Sequence, residues 1–214
     1  KPQMPSIDKH LAGDIDNLAH LLKRISERYR YTSDFTLYGL QMALIEIMVL
    51  PRRLHLHNWR SYSEAVNLGQ LLNLLATGHA TMIVTCHFGN WEVAGYVLGL
   101  TGYRSYAIAR VLDNPYLEKF LKSFRQKTGQ TILPKHGDGA FERITSVLAS
   151  NGTIATLGDQ DAGERGLFVN FFNRPASTHK AVALLAIQFN TPLVVVGVPR
   201  IARPMKFAIV VEDV

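Results

Sequence analysis

Thr81-Met82-Ile83-Val84-Thr85-Cys86-His87-Phe88-Gly89-Asn90-Trp91-Glu92 is the stretch whose reading decides the fold. Residues 81–86 are apolar and rich in β-branched side chains, the composition of a buried strand. Residues 89–100 continue as an apolar helix. One His lies between the two, and a Glu follows it five residues later. On a regular helix, residues five apart point about 140° away from each other. His87 and Glu92 therefore meet only if His87 sits on the connecting loop and Glu92 in the first helical turn. Gly89 permits the tight bend this requires, and the helix dipole favours a carboxylate in a first turn. The expectation is a general base, His87, held in one tautomer by Glu92 at the open end of a sheet. Backbone N–H groups at the helix start, near Gly89 and Asn90, are the expected oxyanion donors.

Downstream, strands and helices alternate. Strands are expected at 104–109, 131–133, 153–157, 193–198 and 207–211, with helices at 115–127, 139–150 and 178–189. Pro115 suits a first helical position, and Asn151-Gly152 turns the chain. Residues 158–178 read as mostly loop, extended over 167–172. Such alternation implies an α/β fold, a mostly parallel sheet flanked by helices. Functional residues then belong at the carboxyl ends of strands, where His87, Arg110 and Asp159 fall. Upstream, residues 1–12 read as a polar leader, followed by helices at 14–29, 35–50 and 64–76; Pro51 ends the second. We read 1–214 as a single domain: an N-terminal helical part, 1–79, and an α/β core, 80–214, that stops before the end of the fold.

The 214 residues suffice for one domain with a real core. The single Cys excludes an internal disulfide and fits a reducing compartment. A net charge of +6 and a pI of about 9.5 favour acidic partners. The basic residues are scattered and form no nucleic-acid motif, so nucleic acid is not an expected partner. There is no signal peptide and no apolar run of about 18 residues. The longest apolar stretch, 37–50, is broken by Gln41 and Glu46 and reads as a packed or interfacial helix. The chain opens on Lys-Pro and stops in a strand-like run, so both ends read as truncations, compatible with a membrane anchor upstream.

The His-x4-Glu spacing, with Phe-Gly-Asn-Trp inside it and an apolar strand before it, resembles the first motif of the bacterial lipid A (late) acyltransferases. That family belongs to the lysophospholipid and glycerolipid acyltransferase superfamily, and further stretches follow in its order. Arg110 ends a strand before Asp113-Asn114-Pro115, and the next helix carries Arg125. The resemblance carries the family's catalytically important Arg onto Arg125, and Arg110 aligns with a recurrent Arg. A guanidinium grips phosphate or carboxylate bidentately, which suits a phosphorylated lipid or a phosphopantetheine arm. Gly158-Asp159-Gln160-Asp161-Ala162-Gly163 leaves a buried strand, and Phe168-Val169-Asn170-Phe171-Phe172 and Arg174-Pro175 follow. Asp159 matches the family's functional Asp, and Asn173 stands where many relatives have Gly. Paired acids can hold Mg²⁺, but no third ligand accompanies them. A role in orienting the acceptor or an Arg is the favoured reading of Asp159. The aromatic run packs in core or loop, or lines an acyl tunnel.

The resemblance implies an O-acyltransferase that needs neither cofactor nor metal. The donor is an acyl carrier protein (ACP) or acyl-CoA thioester. The acceptor is a hydroxyl of a lipid or glycolipid, lipid A-like or a lysophospholipid. His87 removes the hydroxyl proton, Glu92 holds the imidazole, and Arg110, Arg125 and Asp159 bind substrate. The implied setting is the cytoplasmic face of the bacterial inner membrane, with the protein at the membrane surface or anchored outside this chain. Two alternatives use the same residues: a non-catalytic lipid- or acyl-carrier-binding module, and a thioesterase in which His87 activates water. Cys86 neighbours His87 but points to the opposite face of a strand and reads as a core thiol. There is no Gly-x-Ser-x-Gly elbow and no phosphate loop, and Gly137-Asp138-Gly139 is an incomplete dinucleotide fingerprint. His55 and His57 lack the partners of a zinc site. His136 reads as a loop residue, and His179 as the start of a surface helix.

Overall fold

The structure, a computed structural model, describes residues 37–201 and 205–212. The expected leader and the helix at 14–29 lie outside the described residues. Helix α1 (Leu37–Arg53) comes first, then the short α2 (Trp59–Tyr62), strand β1 (Ser63–Val66) and α3 (Leu68–Ala76). The core follows as β2 (Thr81–Thr85), α4 (Trp91–Leu100), β3 (Ser105–Ala109), α5 (Pro115–Gln126), β4 (Gln130–Pro134), α6 (Ala140–Ala149) and β5 (Thr153–Leu157). A hairpin of β6 (Leu167–Phe171) and β7 (Arg174–Thr178) leads to α7 (Ala181–Gln188), β8 (Leu193–Gly197) and β9 (Phe207–Glu212).

Seven strands form one sheet in the order β1-β9-β8-β2-β5-β3-β4. Its neighbours are parallel except β8 and β9. Every residue of β2 and of β9 is buried, because helices cover both faces. Successive side chains alternate across the sheet. Ile83, Val194 and Val196 therefore pack on Ile47, Leu71, Val93 and Phe124 of α1, α3, α4 and α5. Met82 and Ile154 pack on the other side against Ile144, Val147, Leu148 and Leu185 of α6 and α7. Each such apolar side chain, fully buried, stabilises the fold by about 1.5–3 kcal/mol. At the start of α5 the Asn114 side chain accepts from the N–H groups of Tyr116 and Leu117 at 3.0 and 3.2 Å, with Pro115 entering the first turn.

Three local expectations change. The part upstream of Thr81 is not purely helical: Ser63–Val66 forms β1, paired in parallel with β9 at the sheet edge. Ser-Glu-Ala-Val carries little strand propensity of its own, and the pairing partner supplies what the sequence lacks. Helix α1 runs past Pro51 to Arg53; Pro51 lies in the last turn, where losing one amide donor does not stop the helix. Finally, 167–178 is a hairpin. Phe171 pairs with Arg174, and both turn residues are left-handed, Phe172 at φ 52° and Asn173 at φ 61°. This is the backbone of a two-residue hairpin turn, and Asn is among the residues that tolerate it.

The connections place the site. From β2 the chain leaves over the α1/α4/α5 face and returns at β3, beyond β5. From β5 it leaves by the hairpin and α7 on the opposite face and returns at β8, beyond β2. The two neighbouring strands thus send their connections in opposite directions, which opens a crevice at their carboxyl ends.

Candidate active site

Strands β2 and β5 pair in register, Thr85 with Leu157. The pairing continues one step as Gly158 donates its N–H to Thr85 O at 2.9 Å. One step further, His87 and Asp159 stand side by side in the crevice. The His87 backbone N–H donates to Asp159 Oδ2 at 2.7 Å, and the ring nitrogen Nδ1 lies 2.8 Å from Oδ1. Each side chain is about one-fifth exposed, 19% and 20%. The partner that orients His87 is therefore Asp159, not Glu92. Both oxygens of Asp159 act as acceptors, so Nδ1 carries a proton, and in the neutral ring Nε2 carries the lone pair.

Glu92 does lie in the first turn of α4, as expected, but it faces α5. Arg125 grips it with Nε on Oε2 at 3.0 Å and Nη2 on Oε1 at 2.6 Å. The pair is largely buried, with side chains 17% and 8% exposed. Burial pulls the Arg125 pKa down, but Glu92 more than offsets this, and the guanidinium titrates above its ordinary range. The phosphate-binding fork expected of Arg125 is thus spent on Glu92. Trp91 joins the two pairs: its Nε1 donates to Glu92 Oε1 at 3.2 Å, and its ring meets the His87 ring edge-on at 4.7 Å between centroids. Arg110 stays apart, 63% exposed and 3.5 Å from Asp113.

Gly89 and Asn90 shape the loop. Gly89 sits at φ +70° beside Val198, where a Cβ would collide with the Val198 carbonyl oxygen, so only glycine fits. Asn90 is not an oxyanion donor. Its backbone N–H bonds Val198 O at 3.0 Å, and its side chain turns into the protein toward Glu46 at 2.8 Å. Cys86 is the core thiol expected. Burial above all, and the nearby Asp159 charge, push its pKa up to about 12, so it is no thiolate nucleophile. Two outcomes follow. Native protein at pH 8 resists alkylation at Cys86, as mass spectrometry of iodoacetamide-treated samples reads directly. The native state also keeps this proton where the unfolded state, near 9.0, has lost it. Stability is unaffected below that pH and declines from there toward 12, and Cys86→Ala removes this part of the decline in denaturant titrations.

A cavity of about 1550 Å³ opens at the crevice, with His87, Trp91, Glu92, Arg110 and Arg125 in its wall. Most of the lining is apolar, including Leu44 and Ile47 of α1, Val97 and Leu98 of α4, and Leu121 of α5. The volume exceeds the roughly 300–1,000 Å³ that holds a drug-sized ligand. Lys135, His136 and His179 also line it; His136 is an exposed loop residue, as expected, and His179 is half-buried just ahead of α7. Burial first, then the Lys135 charge, hold the His179 pKa below the ordinary histidine range. The aromatic run lies elsewhere: Phe168 is exposed on the hairpin, and Phe171 and Phe172 pack on each other.

A mostly parallel seven-stranded α/β sheet flanked by helices is the fold expected of the class that the His-x4-Glu motif resembles. Residues 16–212 match the family model of bacterial lipid A biosynthesis acyltransferases, and the chain belongs to that family. It is similar to a phosphatidylinositol mannoside acyltransferase of Mycobacterium tuberculosis, 25% identical over 152 residues, which cover 69% of this chain and 48% of that protein. A protein of the same name from Mycolicibacterium smegmatis is 26% identical over 133 residues, 61% of this chain and 43% of that protein. The chain thus spans about half the length of the curated relatives it matches. Among the described residues no helix is long and apolar enough to cross a membrane.

Proposed function

We propose that the protein moves a fatty acyl group from an ACP or CoA thioester to a hydroxyl of a lipid or glycolipid, with His87 as the general base. The observation that carries this reading is the His87 Nδ1–Asp159 bond, with His87 in the wall of the apolar cavity. Asp159 fixes the ring and steadies the imidazolium; Nε2 takes the acceptor's hydroxyl proton. The oxygen attacks the thioester carbonyl, and the tetrahedral adduct collapses by breaking the C–S bond. The leaving thiolate then takes the proton back from His87, so ester and free thiol form in equal amounts and no acyl-enzyme intervenes. The Glu92–Arg125 pair holds α4 against α5 in the cavity wall. In this reading Arg110, exposed on the cavity wall, meets a phosphate of either substrate. The membrane surface on the cytoplasmic side of the inner membrane is where donor and lipid acceptor meet.

The test supplies the intact protein with acyl-CoA or acyl-ACP, with and without acceptor: a lysophospholipid, a lipid A precursor, or a mannosylated phosphatidylinositol. Thiol release and acylated product are followed together. Equal, acceptor-dependent amounts of both are expected. Thiol release that ignores the acceptor would make the protein a thioesterase. Tight thioester binding without turnover on every acceptor would make it a binding module.

A further inference from the structure

We infer that Glu46 and Arg200, acting through Asn90, are positioning residues that hold the His87 loop in its reactive geometry. Glu46 lies on α1 among the buried Ala43, Ile47 and Leu50 and is itself 1% exposed. A carboxylate so far from water is tolerated only when its partners satisfy it. Three bonds do so: Arg200 Nε to Oε1 at 2.8 Å, Arg200 Nη2 to Oε2 at 2.8 Å, and Asn90 Nδ2 to Oε2 at 2.8 Å. An apolar side chain would fill this place in the core without any of this, so the group points to a task beyond packing.

That task is legible at Asn90. It is the N-cap residue of α4, yet its side chain makes no capping bond. An Asn at an N-cap ordinarily accepts from the second or third helical N–H. Here the Nδ2 group is drawn to Glu46, and among the described residues the buried Oδ1 meets no partner. The backbone of Asn90 meanwhile bonds Val198 O, and Gly89 bridges to Val198, two residues before Arg200. The centre of the loop between His87 and Glu92 is therefore fixed from two sides, by α1 and by the segment after β8. Without Glu46, Asn90 reverts to its ordinary cap on α4, and the loop shifts, carrying the His87 ring away from Asp159.

This rests on His87 being the base, and the variants separate the two readings. In the intact protein, Glu46→Gln places an amide N–H₂ against the Arg200 or Asn90 donors. The expected result is a kcat lower by about 10- to 100-fold, the scale of a roughly 1 Å misplacement, with KM for donor and acceptor within about threefold. The downfield His87 Nδ1–H proton resonance, assigned by its absence in His87→Gln, shifts or disappears. The pair Glu46→Leu/Arg200→Leu restores an uncharged, packed core but leaves Asn90 without its acceptor. It is expected to melt near wild type and to keep the low kcat. It decides the matter should Glu46→Gln fail to fold. A folded variant of either kind with kcat within threefold of wild type overturns the inference, as does a loss that merely follows the melting temperature. An active His87→Ala would overturn the underlying reading instead. An inactive His87→Ala beside unimpaired Glu46 variants overturns only this one.

Discussion

With His87 as the proposed base, acyl transfer in the Asp159→Asn variant is expected to fall by about 10²–10⁴ in kcat/KM, and in His87→Ala by at least as much. The substitution is isosteric, so the fold is kept. What changes is the donor pattern. Asp159 offers one oxygen to the His87 backbone N–H and the other to ring Nδ1. An amide has one oxygen only. If that oxygen stays on the backbone N–H, the N–H₂ group points at Nδ1 and selects the tautomer protonated on Nε2. The lone pair then faces the introduced amide in place of the acceptor hydroxyl. If the amide flips, the backbone N–H meets a donor and the loop moves. Either way the base is lost, while donor and acceptor still bind in the cavity, so the loss falls on kcat with KM little changed. Melting temperature and steady-state kinetics on the same preparation check this. A folded Asp159→Asn protein with wild-type kcat would show that His87 is oriented by some other group.

The fold was legible because β2 and the strands that follow it are short, β-branched and apolar, and because helices between them carry their own signals, such as Asn114-Pro115. The edge strand β1 was not legible: Ser63–Val66 becomes a strand only because β9 offers it a parallel partner. At the site, the sequence singles out His87, Glu92, Arg125 and Asp159 but not the way they pair. Proximity in sequence favoured His87 with Glu92, whereas the pairs formed are His87 with Asp159 and Glu92 with Arg125. The deciding fact is that β5 lies next to β2 in register. With that adjacency, counting two residues past each strand's end brings 87 opposite 159; without it, no local pattern does. The helical geometry did hold a hint. A first-turn residue of α4 points off the side of the helix, toward a neighbouring helix more readily than back to the loop. Glu46 was noticed only as an interruption of an apolar helix, and Arg200 not at all, since their partners lie across the fold.

Glu92→Ala and Arg125→Met each destabilise the protein by about 3–5 kcal/mol, because each leaves a charge buried without its partner. For a domain of this size the melting temperature drops by roughly 6–20 °C. The exposures of 17% and 8% place the pair well inside the range where removal of one partner is costly, unlike exposed ion pairs, which contribute about 1 kcal/mol or less. The double variant Glu92→Met/Arg125→Met removes both charges together and recovers most of the loss, since an apolar pair of similar volume replaces a buried ion pair at little net cost. The sign of the pH dependence follows from Arg125. Its pKa is raised in the folded state, so its contribution is fully present at neutral pH and disappears only as the pH climbs through the far alkaline range. Activity separates this clamp from a direct chemical role. If Glu92 only holds α4 against α5, the double variant regains activity along with stability. If it stays at least 10²-fold down in kcat while melting near wild type, Glu92 acts in the chemistry, and the division of labour between the two carboxylates must be redrawn.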